Sequence, residues 1–290
     1  MFRKTVAILL FLTLALPLIA QTAEKSGAPN LIQIYREDVK PGKAAAHAKL
    51  ESGWPAASRK AHATSYYLAA TTMTGPTEAW FITPYDSLEA MEKADQFSHA
   101  NPSYQAELDR LSAADGEYIN SSRSIVAAFV PALSYRPQVK IGEYRYFMLD
   151  TVRVKLGHGK EFGDLRKGIN AAHEKAGLDE HMLVYAVISG APAGTYLIFQ
   201  PAKSLAESDA AVKTHGEGSA YAAAIGDEGR KQARDFALND ELLFQRDWMA
   251  FSPAMSFVSP ETIAAAPAYW SPKAVVAKVP AKMPKAAEGK

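Results

Sequence analysis

Two stretches of this chain set the same polar residues at matching places. One reads SLEAMEKADQFSHANPSYQAEL from Ser87 and the other SLAESDAAVKTHGEGSAYAAAI from Ser204. Aligning them brings His99 opposite His215, Ser103 opposite Ser219 and Tyr104 near Tyr221. Imidazole titrates near neutral pH, so a histidine kept twice is a natural acid, base or hydrogen-bond donor. His99 and His215 are therefore the candidate catalytic residues, with Trp80, Tyr104 and Tyr221 as candidate ligand-binding walls. The structural alternative stands beside this: such a histidine also caps a helix, and aromatic residues fill cores as readily as pockets.

Other chemistries find little support. In HEKAGLDEH, His173 and His181 are eight positions apart, whereas two zinc ligands on one helix need i, i+4 spacing. Gly177 reads there as a helix end, and a solvated turn is expected, with no metal site. GHGK, Gly157 to Lys160, lacks the length and the hydroxyl residue of a phosphate loop. No G-x-S-x-G elbow occurs, and without cysteine there is no thiol nucleophile.

The ends of the 290 residues suggest a compartment. MFRKTVAILLFLTLALPLIAQ has two basic residues, a short apolar run interrupted by Pro17 and a small residue at Ala20. That is the pattern of a cleaved secretory signal, residues 1–20, and the run is short for a membrane span. A secreted or periplasmic protein is expected, held together by its core because it has no disulfides. Residues 261–290, rich in Ala, Pro and Lys, read as a disordered basic tail. The chain carries +1 overall, but residues 21 to 262 carry −5, which argues against a nucleic-acid partner.

The elements that must position these residues come twice. VKPGK, MTGPTEAWFITPYDSLEAMEKA and FVPALSYRP are followed in the same order by VKLGHGK, ISGAPAGTYLIFQPAKSLAESDAA and FSPAMSFVSP, at offsets of 115 to 122 residues. Three blocks in register mark an internal duplication. Each copy opens on a strand, NLIQIYREDV or YRYFMLDTVRV, and passes through a glycine turn into a helix, Lys43 to about His62 or Lys160 to Ala176, with Pro55 bending the first. Strands TSYYLAATTM and EHMLVYAVIS lead to EAWFITP and GTYLIFQP, whose continuously apolar runs need cover on both faces. Ser87 and Ser204 are placed to cap a second helix, and the repeated phrase is expected to close each copy as an edge segment. Trp54 and Trp80 align with Ala171 and Leu197, so the two copies cannot hold identical pockets.

The order β-α-β-β-α-β is that of a ferredoxin-like unit, one over 30–137 and one over 138–260. The chain resembles the dimeric α/β-barrel superfamily, as an α+β protein whose two units, similar to those of the antibiotic-biosynthesis monooxygenases and NIPSNAP proteins, pack as an intramolecular barrel. The resemblance implies a small organic ligand between sheet and helices, with cofactor-independent oxidation or isomerisation and no cofactor. The haem-binding, chlorite dismutase-like branch implies instead an axial histidine from the second unit, His215 or His173, with Arg153 and Arg166 as distal candidates. A third reading is a non-enzymatic binding module of the cell envelope. No stable membrane insertion is expected once the signal is removed, and the oligomeric state is left open.

Overall fold

The computed structural model describes residues 27–271, so the expected signal segment and the end of the tail lie outside the described residues. Eight strands close a barrel in the order β1-β3-β2-β8-β5-β7-β6-β4. They are β1 Leu31–Val39, β2 Leu68–Thr72, β3 Glu78–Tyr85, β4 Ile119–Phe129, β5 Tyr146–Val154, β6 Leu183–Ser189, β7 Thr195–Ala202 and β8 Glu241–Phe251. Every neighbouring pair is antiparallel, and the two units join through β2 with β8 and β4 with β6. The expected pair of ferredoxin-like units, packed as one barrel, is what the strands form.

The apolar runs are covered on both faces, as expected. Trp80 and Ile82 of β3, with Leu197 of β7, point into the barrel beside Ile34, Phe147 and Met249. Ala79 and Phe81 face outward with Val39 and Met255, and Ile198 faces outward with Phe162 and Phe236. Alternation of side chains along the strands thus serves three cores, one inside the barrel and one under each of the two helical layers.

The helices differ in detail from the expectation. In the first unit the chain forms α1 Ala44–Glu51 and α2 Gly53–Lys60, breaking at Ser52; Pro55 has no N–H to bond the Glu51 carbonyl, so one continuous helix cannot form. The second unit has one helix here, α5 Gly159–Lys175. After the third strand come α3 Leu88–His99 and α4 Pro102–Asp115, and in the second unit α6 Leu205–His215 and α7 Ala220–Asn239. Ser87 and Ser204 cap α3 and α6 by accepting from the backbone N–H groups of Ala90 and Glu207.

The repeated phrase is not the fourth strand. β4 and β8 end at Phe129 and Phe251, where the phrase begins, and Pro131 and Pro253 sit in the turns that follow. Each phrase then crosses to the other unit: Tyr135 bridges Met182 just before β6, and Phe257 bridges Tyr67 just before β2. Ser134 Oγ donates to the Val130 carbonyl and accepts from Val184 N, while Ser256 Oγ donates to the Ser252 carbonyl and accepts from Ala69 N. The phrase recurs because a two-fold barrel needs the same clasp twice.

The first residues of the segment expected as a tail are helical. Short helices α8 Pro260–Ala265 and α9 Pro267–Trp270 close the apolar end of the barrel, with Trp270 buried and its Nε1 donating to the Gly142 carbonyl at 2.8 Å. A side chain at Gly142 would meet the Thr262 carbonyl oxygen at 2.7 Å, so glycine is required there. Among the described residues no helix is long and apolar enough to cross a membrane.

Candidate functional site

In the first unit, charge is buried between the sheet and its helices. β1 directs Glu37 outward, and α1 places His47 and Glu51 one turn apart on its inner face. Asp115 closes the group from the last turn of α4. His47, Glu37, Glu51 and Asp115 are 2%, 4%, 3% and 3% exposed, and their ligand atoms lie within 4.8 Å of one another. His47 Nε2 is 2.8 Å from Glu37 Oε2 and 3.5 Å from Asp115 Oδ1. Trp54 Nε1 donates to Glu51 Oε1 at 3.0 Å, and Ser58 Oγ pairs with the Tyr104 hydroxyl at 3.0 Å.

Three carboxylates around one imidazole cannot all ionise cheaply in a dry site. Burial, followed by the charges of Glu37 and Asp115, pushes the Glu51 carboxyl up to about 9, so it is a neutral acid at pH 7. Burial and the Glu37 charge push Asp115 up to about 6, against the opposing pull of His47. Burial, then Glu51, raises the Tyr67 phenol well above its ordinary range, and its hydroxyl is buried without a hydrogen-bond partner among the described residues.

His47 also lines a cavity of about 370 Å³ between α1 and strands β2 and β3, with Val39, Ala44, Ala48, Thr71 and Met255. The alanines of α1 leave this space, since a larger side chain at 44 or 48 would occupy it. Its size falls at the lower end of the range for small-molecule sites, roughly 300–1,000 Å³. A wider groove of about 540 Å³ runs between the end of α2 and α8, past Arg59, His62 and Trp270, without such a cluster among the described residues.

The second unit fills the same place differently. β1 and β5 repeat at an offset of 115 residues (31 to 146), and the positive-φ turns Gly42 and Gly157 keep that offset into the helices. It sets Glu37 on Val152, His47 on Phe162, Glu51 on Arg166, and Trp54 on Ile169 rather than on Ala171, because the extra residues of GHGK enter the helix instead of lengthening the turn. β4 and β8, offset by 122 (119 to 241), set Asp115 on Ala237. Val152, Phe162 and Phe236 form an apolar core there, Phe162 lying 4.4 Å from Tyr196 and 5.8 Å from Phe236 between ring centres.

The structure separates the candidate residues named from sequence. His99 ends α3 on the surface, its side chain 66% exposed and 3.5 Å from Asp95. Tyr104 pairs with Ser58 of α2, and Phe97 packs against its ring at 6.1 Å. Trp80 lies inside the barrel at 2% exposure, where Nε1 donates to Glu78 Oε2 at 2.9 Å and Arg36, ion-paired to Glu78, covers its ring at 4.8 Å. His215 and Tyr221 do meet, ring centres 4.5 Å apart, and His173 joins them, its Nε2 3.2 Å from that of His215. His181, the other histidine of HEKAGLDEH, instead places Nδ1 at 2.6 Å from the Arg136 carbonyl.

The residues of the second unit do not fit a haem. The space between its sheet and helices is packed with aromatic rings, and the histidines offered as axial ligands turn their Nε2 atoms toward each other. Of the distal candidates, Arg153 points into the barrel with Phe147 and Leu149. Arg166 is buried against the Leu133 carbonyl and Met182 Sδ, and that burial lowers its guanidinium to about 10.

No family model and no characterised sequence matches the chain. Solved structures do. A protein from Fusobacterium nucleatum subsp. nucleatum assigned as a monooxygenase superposes with a TM-score of 0.51 at 14% identity, covering 77% of this chain and 93% of its own. An anthrone oxidase-like protein superposes with a TM-score of 0.52 at 13% identity, covering 77% and 91%. A chlorite dismutase variant from Candidatus Nitrospira defluvii reaches 0.47 at 9% identity, covering 78% and 92%. Together with the closed eight-stranded barrel, the likeness establishes the dimeric α/β-barrel fold.

Proposed function

We propose that the protein binds a small, flat organic molecule in the first-unit cavity and removes a proton from it, with His47 as the base. The observation that carries this is His47 itself: a buried imidazole on a cavity wall, its Nε2 against Glu37, at a position where the same fold is completed by Phe162 in the second unit. With Nε2–H donated to Glu37, the Nδ1 lone pair is the basic atom, and the neutral Glu51 carboxyl is a proton donor in the same group. A substrate whose carbanion or phenolate reacts directly with O₂ needs no more from the protein than this step, orientation and exclusion of water. The two neighbours assigned as a monooxygenase and described as anthrone oxidase-like support that substrate class. The amino-terminal MFRKTVAILLF stretch supports action outside the cytoplasm.

Anthrone is the probe. Its oxidation by one O₂ yields anthraquinone and one water, so oxygen uptake and product absorbance must agree. Catalysed uptake is expected, and His47→Gln should lower it, per folded molecule, by about 10²- to 10⁴-fold, the usual weight of a general base. If His47→Gln turns over anthrone and a panel of phenols at the wild-type rate, or the wild type accelerates none of them, the reading fails.

A further inference from the structure

We propose that His173, Glu180 and His215 bind a divalent transition metal ion, with Zn²⁺ the species that fits best and a fourth position open to solvent. The site lies in the second unit and is independent of the first-unit cavity. Its ligands come from the last turn of α5, the loop after it and the final residue of α6.

The hydrogen bonds settle which ring nitrogens carry protons. His173 Nδ1 is 2.8 Å from the Ile169 carbonyl oxygen, and His215 Nδ1 is 2.7 Å from that of Ala211, each four residues back along its own helix. A carbonyl only accepts, so each Nδ1 bears the hydrogen. A neutral ring then shows a bare lone pair on Nε2, and these two Nε2 atoms face each other at 3.2 Å. Two lone pairs at that separation repel unless an electrophile lies between them. Glu180 adds a third donor to the same point, Oε2 lying 3.2 Å from His173 Nε2 and 3.5 Å from His215 Nε2.

A shared proton and a metal ion make different demands on this triangle. A proton joins two of the three atoms and leaves the third without a role. A zinc ion about 2.0–2.1 Å from each ligand in tetrahedral geometry sets the ligands roughly 3.3–3.4 Å apart. The observed edges of 3.2, 3.2 and 3.5 Å match that triangle. Two imidazoles and one carboxylate are a donor set for zinc with an open fourth place, and Nδ1–H bonded to a carbonyl is the usual outer support of a metal-bound histidine. The Tyr221 ring, 4.8 Å from His173 and 4.5 Å from His215, holds both imidazoles in orientation. His173 is buried, but the His215 and Glu180 side chains are 31% and 24% exposed, which gives an ion its way in. The expectation of no metal in HEKAGLDEH considered His181 as the partner; the second histidine comes from 42 residues downstream.

The test uses untagged full-length protein stripped with a chelator, titrated with Co²⁺ and followed by its visible d–d absorption. One equivalent should produce the intense bands of a four-coordinate ion, Zn²⁺ should displace them, and Zn²⁺ should raise the melting temperature. His215→Ala and Glu180→Gln, both at partly exposed positions, should abolish the bands while remaining folded by circular dichroism. Glu51→Gln, in the first-unit cluster, should leave them unchanged. Absence of the bands in the wild type overturns the proposal, as does their survival in His215→Ala. A melting temperature that follows pH but ignores Zn²⁺ and Co²⁺ overturns it too, in favour of a shared proton.

Discussion

Glu37 and Val152 hold the same place on the first strand of their units, 115 residues apart, yet one is a buried carboxylate 2.8 Å from His47 and the other is apolar core. The pair shows that the fold itself does not require charge under its helices. The second unit completes the layer with Val152, Phe162 and Phe236. The charged cluster of the first unit is therefore not a requirement of the fold.

Replacing the first-unit residues by their second-unit counterparts measures what the cluster costs in stability. Removing one member of a buried charged group is strongly destabilising, whereas replacing the whole group by apolar residues is often neutral or stabilising by about 1–4 kcal/mol. Glu37→Val, His47→Phe and Asp115→Ala combined leave only Glu51, held neutral by burial and bonded to Trp54, and should thus melt at or above the wild-type temperature and lose anthrone oxidation. Glu37→Val alone should melt lower. The ordering of the three melting curves is the readout, and a combined variant less stable than the single one would contradict it.

Glu51 predicts a pH dependence of defined sign. Its carboxyl holds a proton up to about pH 9 in the folded protein but only to about 4.5 when the chain unfolds. Between those values the folded state binds more protons, so stability falls as pH rises across that window. Asp115, raised to about 6 from 3.8, adds to the fall at its acid end. Glu51→Gln keeps the shape and removes the titration. Melting temperature plotted against pH from 5 to 9 should flatten, with a gain of about 2–4 °C at pH 8 for each kcal/mol relieved. A slope unchanged by the substitution would mean that Glu51 ionises freely.

Much of the fold was legible because its signals are local. Apolar runs, glycine turns and serine caps mark each element without reference to the rest, and the duplication repeats every one of them. The fourth strands were harder to see. INSSRSIVAAF is polar over its first half, where Ser121 to Ser124 are exposed, so hydropathy there resembles a loop; in ELLFQRDWMAF the apolar Leu242 to Phe244 are exposed, so hydropathy does not follow burial. The candidate site was partly hidden for another reason. Matching histidine with histidine picks out what the copies share, and it found His215 and Tyr221 but also the exposed His99. His47 is visible only as a difference, a histidine in AAAHAKLE where the second copy has Phe162, and the turn must first be placed at Gly42 and Gly157 to see it.

The clasp predicts paired losses. Ser134 and Ser256 each satisfy a backbone N–H in the opposite unit, those of Val184 and Ala69, the latter at 2.8 Å. Alanine leaves that buried group unpaired, a penalty of about 1–3 kcal/mol at each site. Ser134→Ala and Ser256→Ala should each lower the denaturation midpoint in urea with the slope unchanged, and the double variant should lose about the sum. A silent Ser256→Ala would show that the clasp is held by the Tyr67–Phe257 bridge alone.

Trp80 separates core from pocket. It lies inside the barrel, whereas the cavity opens on the outer face of the same strand, where Ala79 rather than Trp80 is a lining residue. Trp80→Leu copies the second unit's Leu197, but it leaves Glu78 without the indole donor and removes the ring under Arg36. Truncating so large a buried ring should cost roughly 2–5 kcal/mol, by analogy with other large-to-small core changes. The Arg36–Glu78 ion pair remains to neutralise the carboxylate, so the barrel should still close. A lower melting temperature with anthrone oxidation per folded molecule within about twofold of wild type is the expected result. An unchanged melting temperature with lost turnover would make Trp80 a wall of the ligand site, and would move that site from the helical layer into the barrel.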